Sequence, residues 1–141
     1  MPVRKAEAEW SGDLQSGGGT IRFGDGRFAE PYGASSRFGE GKQTNPEELI
    51  AAAQAACYAM ALSAGLAKEG YDPKRVRAEA EVDLAKTGDG FAIAVITLHV
   101  EAEVPGIAED AFAKQAEAAR VGCPVAKALA GCEIRLDARL K

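Results

Sequence analysis

The side chains in this sequence with reactive chemistry to offer are three thiols, Cys57, Cys123 and Cys132. Cys57 sits near the middle of an almost wholly apolar stretch, Leu49 to Ala67, in which only Gln54, Tyr58, Ser63 and Gly65 interrupt Ala, Ile, Leu, Met and Cys. Cys123 stands in the turn Gly122-Cys123-Pro124. A proline there suits the start of a helix, where unpaired backbone N–H groups can stabilise a thiolate. The thiolate is the attacking form, yet an ordinary thiol with a pKa near 8.5 is mostly protonated at neutral pH. Arg37 and Glu47 flank the apolar stretch, from where a charge can be brought close to a buried thiol. Cysteine is also among the most buried residue types, so inert packing is an equally good account of Cys57. Residue types and spacing alone leave both readings open.

The element that carries Cys57 is announced by Thr44-Asn45-Pro46-Glu47-Glu48. Asn45 suits the N-cap, Pro46 the first helical position, and Glu48 stands three residues after the cap. A helix apolar on every face is expected to be enclosed on every face. Before it, Val3–Trp10 reads as a strand, and Gly17-Gly18-Gly19 and Gly24-Asp25-Gly26 punctuate two more, Thr20–Phe23 and Arg27–Glu30, as a meander. A polar loop from Pro31 to Thr44 carries Arg37. After Pro73 the period changes: Val76, Ala78, Ala80, Val82 and Leu84 alternate with charged residues, which predicts a half-buried strand. Thr87-Gly88-Asp89-Gly90 turns it back into a strand from Phe91 to Val104, with Ala92, Ala94, Ile96, Leu98, Val100 and Val104 on one face. Helices follow over Ile107–Val121 and from Cys123-Pro124 to Gly131, and then a last strand from Glu133 to Leu140. This order predicts a single α+β domain over residues 1–141 with mainly antiparallel pairing.

Composition closes off several function classes. A formal charge of −4, no Lys/Arg block and 6% aromatic residues argue against nucleic acid as a partner. Gly39-Glu40-Gly41-Lys42-Gln43-Thr44 has the flavour of a phosphate loop, but Ser36 and Gln43 occupy positions that the motif assigns to Gly and Ser/Thr. The cysteines show no C-x-x-C spacing and His99 is the only histidine, so neither a metal site nor a cofactor is expected. His99 shares a strand face with Thr97, Glu101 and Glu103, which predicts a partly solvated residue rather than a catalytic base. The apolar helix approaches the length of a membrane span, but it is rich in Ala and bracketed by Glu47, Glu48, Lys68 and Glu69; a core helix, and no membrane partner, is the expectation. The N-terminus has no apolar secretory segment, so the thiols are expected in a reducing, cytoplasmic setting.

Asn45-Pro46-Glu47-Glu48-Leu49-Ile50-Ala51-Ala52-Ala53-Gln54-Ala55-Ala56-Cys57 and Gly122-Cys123-Pro124-Val125 resemble the two cysteine motifs of the osmotically inducible protein C / organic hydroperoxide resistance (OsmC/Ohr) family. Pro31-Tyr32-Gly33, Ser36-Arg37-Phe38, Gly90-Phe91-Ala92-Ile93 and Val104-Pro105-Gly106-Ile107 resemble its OsmC branch. The resemblance runs over essentially the whole chain. It implies an intertwined homodimer with active sites at the subunit interface, and a cysteine-based peroxidase acting on organic hydroperoxides and more slowly on hydrogen peroxide. Residue by residue, Cys57 matches the peroxidatic cysteine, Cys123 the resolving one, Arg37 the activating arginine and Glu47 the carboxylate that holds it. The resemblance also implies a dithiol reductant of lipoyl type. Cys132 lies outside the family pattern, and packing or a surface thiol is its default reading. Two other classes share these motifs: a redox-sensing or ligand-binding protein with negligible turnover, and a structural stress protein with passive thiols.

Helical spacing adds a constraint of its own. Glu47 and Cys57 stand about ten residues apart, or roughly 15 Å along one straight helix. One arginine can hardly touch both within a single chain. Two copies of the helix packed antiparallel would bring Glu47 of one towards Cys57 of the other, which predicts composite sites with Arg37 and Glu47 contributed in trans.

Overall fold

The computed structural model describes residues Met1–Lys141. The chain folds as two compact units, Met1–Leu49 and Ile50–Lys141.

In the first unit, β1 (Ala6–Ser11), β2 (Gly18–Phe23) and β3 (Phe28–Tyr32) form the expected antiparallel meander, in spatial order β1-β2-β3. Gly24, Asp25 and Gly26 all adopt positive φ in the second hairpin, the conformation for which glycine and aspartate are suited. Gly19 is required by crowding: a Cβ there would stand 2.5 Å from Tyr32 Cε1 and 2.8 Å from Trp10 Cε3. Its absence lets Trp10 and Tyr32 meet edge-on with ring centroids 5.4 Å apart. The segment read as a polar loop contains a short helix, α1 (Ala34–Phe38), which carries Arg37.

Asn45 caps the next helix, α2 (Pro46–Lys68), as its residue type predicts: the Glu48 backbone N–H donates to Asn45 Oδ1 at 2.8 Å. The Glu48 carboxylate accepts from the Thr44 hydroxyl at 3.0 Å. Asn45 Nδ2 donates to the Ser36 carbonyl and the buried Ser36 hydroxyl to the Thr44 carbonyl, at 3.0 and 2.9 Å. These bonds tie α1 to the start of α2.

In the second unit, β4 (Arg75–Thr87) and β5 (Gly90–Glu103) pair antiparallel, and β6 (Glu133–Leu140) adds to β5 in parallel. The parallel return is made by α3 (Glu109–Gly122) and α4 (Pro124–Ala128). The alternation is obeyed through β6 and through β4 as far as Asp83, with Val76, Ala78, Ala80 and Val82, and Ile134, Leu136, Ala138 and Leu140, more buried than their neighbours; at the end of β4 Leu84 and Ala85 are both half-buried. In β5 the predicted face breaks. The register shifts between Asp83 and Leu84, so Asp83 pairs with Val95 but Leu84 pairs with Ile93. The extra residue on β5 moves Ile93, rather than Ala92 or Ala94, onto the face shared with Leu84.

The core of this unit joins Tyr58, Leu62 and Leu66 of α2 to Leu98, Val100 and Ala102 of β5, Val104, and Phe112, Ala116 and Ala119 of α3. The buried side of α2 is the row Gln54, Tyr58, Leu62 and Leu66, each four residues from the next. The expectation that α2 is enclosed all round is not met within one chain. Ala52, Ala53, Ala56, Met60, Ala64 and Ala67 are exposed, and Met60 retains 74% of its surface. By length and composition α2 is long and apolar enough to cross a membrane, and 22% of its apolar window is buried within the chain. The physical reason is that one sheet and one helix can cover only one side of a cylinder.

Leu62 has no exposed surface, so Leu62→Ala should cost about 2–5 kcal/mol of stability in urea unfolding. Leu14→Ala, at a residue that keeps 54% of its surface, should cost less than about 0.5 kcal/mol.

Candidate active site

The second unit brings two free thiols together. Cys57 is half-buried on α2, and Cys123 is fully buried at the junction of α3 and α4. The local sequence dictates that junction. Pro124 cannot donate to α3 but suits the first position of α4, and Cys123 between them takes extended angles, φ −67° and ψ 138°. Its backbone N–H closes α3 on Ala119 O at 3.2 Å, while its Sγ accepts the Ala126 backbone N–H at 3.3 Å and so caps α4. The Cys57 thiol stands near enough to Cys123 to perturb its ionisation.

The helix-start argument for Cys123 is met in geometry but outweighed in energy. Burial pushes this thiol above its ordinary value; the Ala126 and Val125 backbone N–H groups work against the rise, and the neighbouring Cys57 thiol adds to it. Next to Cys57 on the same helix, Tyr58 is fully buried and donates its hydroxyl to Ala116 O at 3.0 Å. Burial, and then the Glu117 carboxylate, push its pKa far upward, so it remains a neutral phenol.

Gln54 belongs to the same cluster and is not singled out by its sequence context. It has no exposed surface, its Nε2 lies 4.0 Å from Cys123 Sγ, and its Oε1 is buried without a partner. The available signal is an amide one turn before a cysteine in an otherwise apolar run, but the contact with Cys123 bridges 69 positions of sequence.

The first unit brings together the two charged residues. Arg37 Nε and Nη2 both donate to Glu47 Oε1, at 3.1 and 3.0 Å. The Glu47 side chain retains 8% of its surface against 41% for Arg37, and its second oxygen, Oε2, is buried with no hydrogen-bond partner. The guanidinium carbon stands 5.5 Å from the centre of the Phe38 ring. Because Ser36, Thr44 and Asn45 are bonded to one another across α1 and the start of α2, the backbone that presents this pair is well fixed.

Cys132 donates its thiol hydrogen to Ile93 O at 3.2 Å. His99 is a partly solvated strand residue, 3.3 Å from Glu81 Oε1 and 3.7 Å from Asp137 Oδ2. No group of three or more His, Cys, Asp or Glu side chains stands in an arrangement that could hold a metal ion.

The OsmC-like protein family model matches residues 39–137. The chain is 45% identical over 139 residues to "Peroxiredoxin OsmC" of Escherichia coli (strain K12), covering 98% of this chain and 96% of that protein. Among solved structures it superposes on an OsmC-like protein of unknown function from Vibrio cholerae with a TM-score of 0.77 at 18% identity, covering 99% and 100% of the two chains. An organic hydroperoxide resistance protein OsmC from Legionella pneumophila gives 0.73 at 24% identity, covering 98% of each. At such identities these structures establish the α+β fold alone. With the family model spanning most of its length and the E. coli protein nearly all of it, the chain belongs to the OsmC family.

Proposed function

We propose that this protein is a cysteine-based peroxidase that reduces organic hydroperoxides to alcohols, and hydrogen peroxide more slowly, in defence against oxidative or osmotic stress. One observation carries the reading: two free thiols, on α2 and at the start of α4, stand near enough for Cys57 to perturb the ionisation of the buried Cys123. The name of the E. coli relative, a peroxiredoxin, supports the same chemistry.

The steps balance as follows. The Cys57 thiolate attacks the terminal oxygen of R-O-O-H; the O–O bond breaks, a proton goes to the leaving alkoxide, and Cys57 is left as sulfenic acid. The Cys123 sulfur then attacks Cys57, the S–O bond breaks, and water leaves as the disulfide forms. An external dithiol, of lipoyl type by analogy with the family, returns both thiols. That step suits a reducing, cytoplasmic setting. Direct condensation shields Cys57 from irreversible overoxidation. The apolar wall that Ala, Leu, Ile and Met give to α2 favours a substrate with an apolar R group.

We further infer that each site is completed in trans, with Arg37 supplying the positive charge that favours the Cys57 thiolate and Glu47 orienting that arginine. Three features support this reading. Helical spacing sets Glu47 and Cys57 roughly 15 Å apart along α2. The face of α2 that includes Ala53, Ala56 and Met60 is exposed in the single chain, a surface that a second copy of α2 would cover. Glu47 Oε2 is buried and unpartnered, so the pair has a hydrogen-bonding position still to fill.

Stopped-flow oxidation of the reduced protein tests the activity. Cumene hydroperoxide should react faster than hydrogen peroxide by about 10-fold or more, and reaction with both at the slow rate of free cysteine would remove the proposal. Arg37→Ala should slow the first step by about 100-fold. Mixing Arg37→Ala subunits with Cys57→Ser subunits should restore about one working site per heterodimer; no recovery would place Arg37 in the same subunit as the cysteine it serves. Because burial holds the proton on Cys123 above its ordinary value of 9.0, disulfide formation should accelerate as pH rises through and beyond that value. A step that is flat over that range would show that Cys123 does not attack as the thiolate.

A further inference from the structure

We propose that Gln54 is a positioning residue for Cys123, an uncharged amide that donates to its sulfur when Cys123 is a thiolate and accepts from it when it is a thiol. The proposal deepens the peroxidase reading and rests on it for its consequence in turnover.

Gln54 begins the buried row of α2. Below it, Tyr58 satisfies its single polar group on Ala116 O, and Leu62 and Leu66 have none. A fully buried amide at the head of such a row costs stability unless its groups are paired. Here Nε2 points at Cys123 Sγ, 4.0 Å away, and Oε1 has no partner at all. A structural glutamine is expected to have both ends bonded; this one has one end on a thiol and one end free. Turning the amide over about its last side-chain bond exchanges the two groups and offers Oε1 to the thiol hydrogen. The same side chain therefore fits both protonation states of Cys123 and adds no net charge to an enclosed site.

This function matters because the other support for a negative charge on Cys123 comes from the backbone alone, chiefly the Ala126 N–H at 3.3 Å and more weakly the Val125 N–H. When Cys123 attacks the sulfenic sulfur of Cys57, its proton is given up as hydroxide leaves, and the two combine as water. Negative charge builds on Cys123 before the S–S bond forms, and it returns there when a dithiol later reduces the disulfide and Cys123 leaves as a thiolate. A side-chain N–H aimed at that sulfur as well lowers both barriers.

The test uses reduced protein labelled with 13C at cysteine Cβ and 15N at glutamine side chains. In the wild type, the Gln54 amide signal should move with the same pH midpoint as the Cys123 Cβ signal. In Gln54→Met, which keeps length and apolar packing but removes both polar groups, the Cys123 midpoint should rise by about half a unit or more. The ratio of disulfide formation to the preceding oxidation of Cys57 at pH 7 should fall by about threefold or more, with its pH profile displaced upward to match. An amide signal that stays flat through the Cys123 titration, or a Cys123 midpoint unchanged in Gln54→Met, overturns the proposal, since packing alone predicts both. If the titrations are linked but peroxide does not oxidise Cys57 in the wild type, the positioning role stands and the peroxidase reading falls. If peroxide oxidises Cys57 and the titrations are independent, the reverse holds.

Discussion

The hydrogen bond from the Tyr58 hydroxyl to the Ala116 carbonyl fixes how α2 lies along α3, and the placement of the thiols depends on it. Tyr58 is fully buried, so its hydroxyl must find a partner, and its pKa is pushed up far enough that it donates as a neutral phenol. The bond sits within the apolar contact of Leu62 and Leu66 with the sheet and with Phe112 and Ala116. One residue before Tyr58 is Cys57; one turn before it is Gln54. At the far end of α3 the chain reaches Cys123. Sliding α2 along α3 by one turn would carry Cys57 about 5 Å from its place and separate the thiols.

Around that anchor, burial and charge act in opposite directions. Enclosure of Cys123 keeps water from the sulfur but disfavours its thiolate, and the Ala126 N–H only partly offsets this. In the mechanism we propose, a thiol that stays protonated suits the resolving role, because it does not compete for peroxide with its neighbour. The charged pair follows the opposite design. Arg37 is largely open to solvent while Glu47 is buried beneath it, so the carboxylate fixes the arginine without the full cost of burying both charges.

Much of the architecture was legible in the sequence because it rests on local rules. Asn45-Pro46 marked the start of α2 to the residue, and the alternation held through β6 and through β4 as far as Asp83. Failures came where a distant partner decides. The β5 face broke at a one-residue bulge that no alternation count can locate. The five-residue helix α1 was hidden in a polar segment too short for periodicity to speak. That β6 joins β5 in parallel depends on the path of α3 and α4, not on its own residues. The apolar run of α2 predicted enclosure on every face, whereas the single chain covers only one side of that helix. Of the candidate site, Cys57, Cys123, Arg37 and Glu47 were all singled out, the pairing of their roles by family resemblance. Gln54 was passed over because an amide's significance lies in what it faces, and here that is a sulfur far away along the chain.

In the peroxidase we propose, Cys57 and Cys123 act as a single redox unit and Cys132 stays outside it. Peptide mapping by mass spectrometry under non-reducing conditions, after one equivalent of cumene hydroperoxide, tests this most directly. The account predicts one intramolecular Cys57–Cys123 disulfide, with Cys132 still a free thiol. A product that retains Cys123 as a thiol, or that links Cys132 instead, would contradict it.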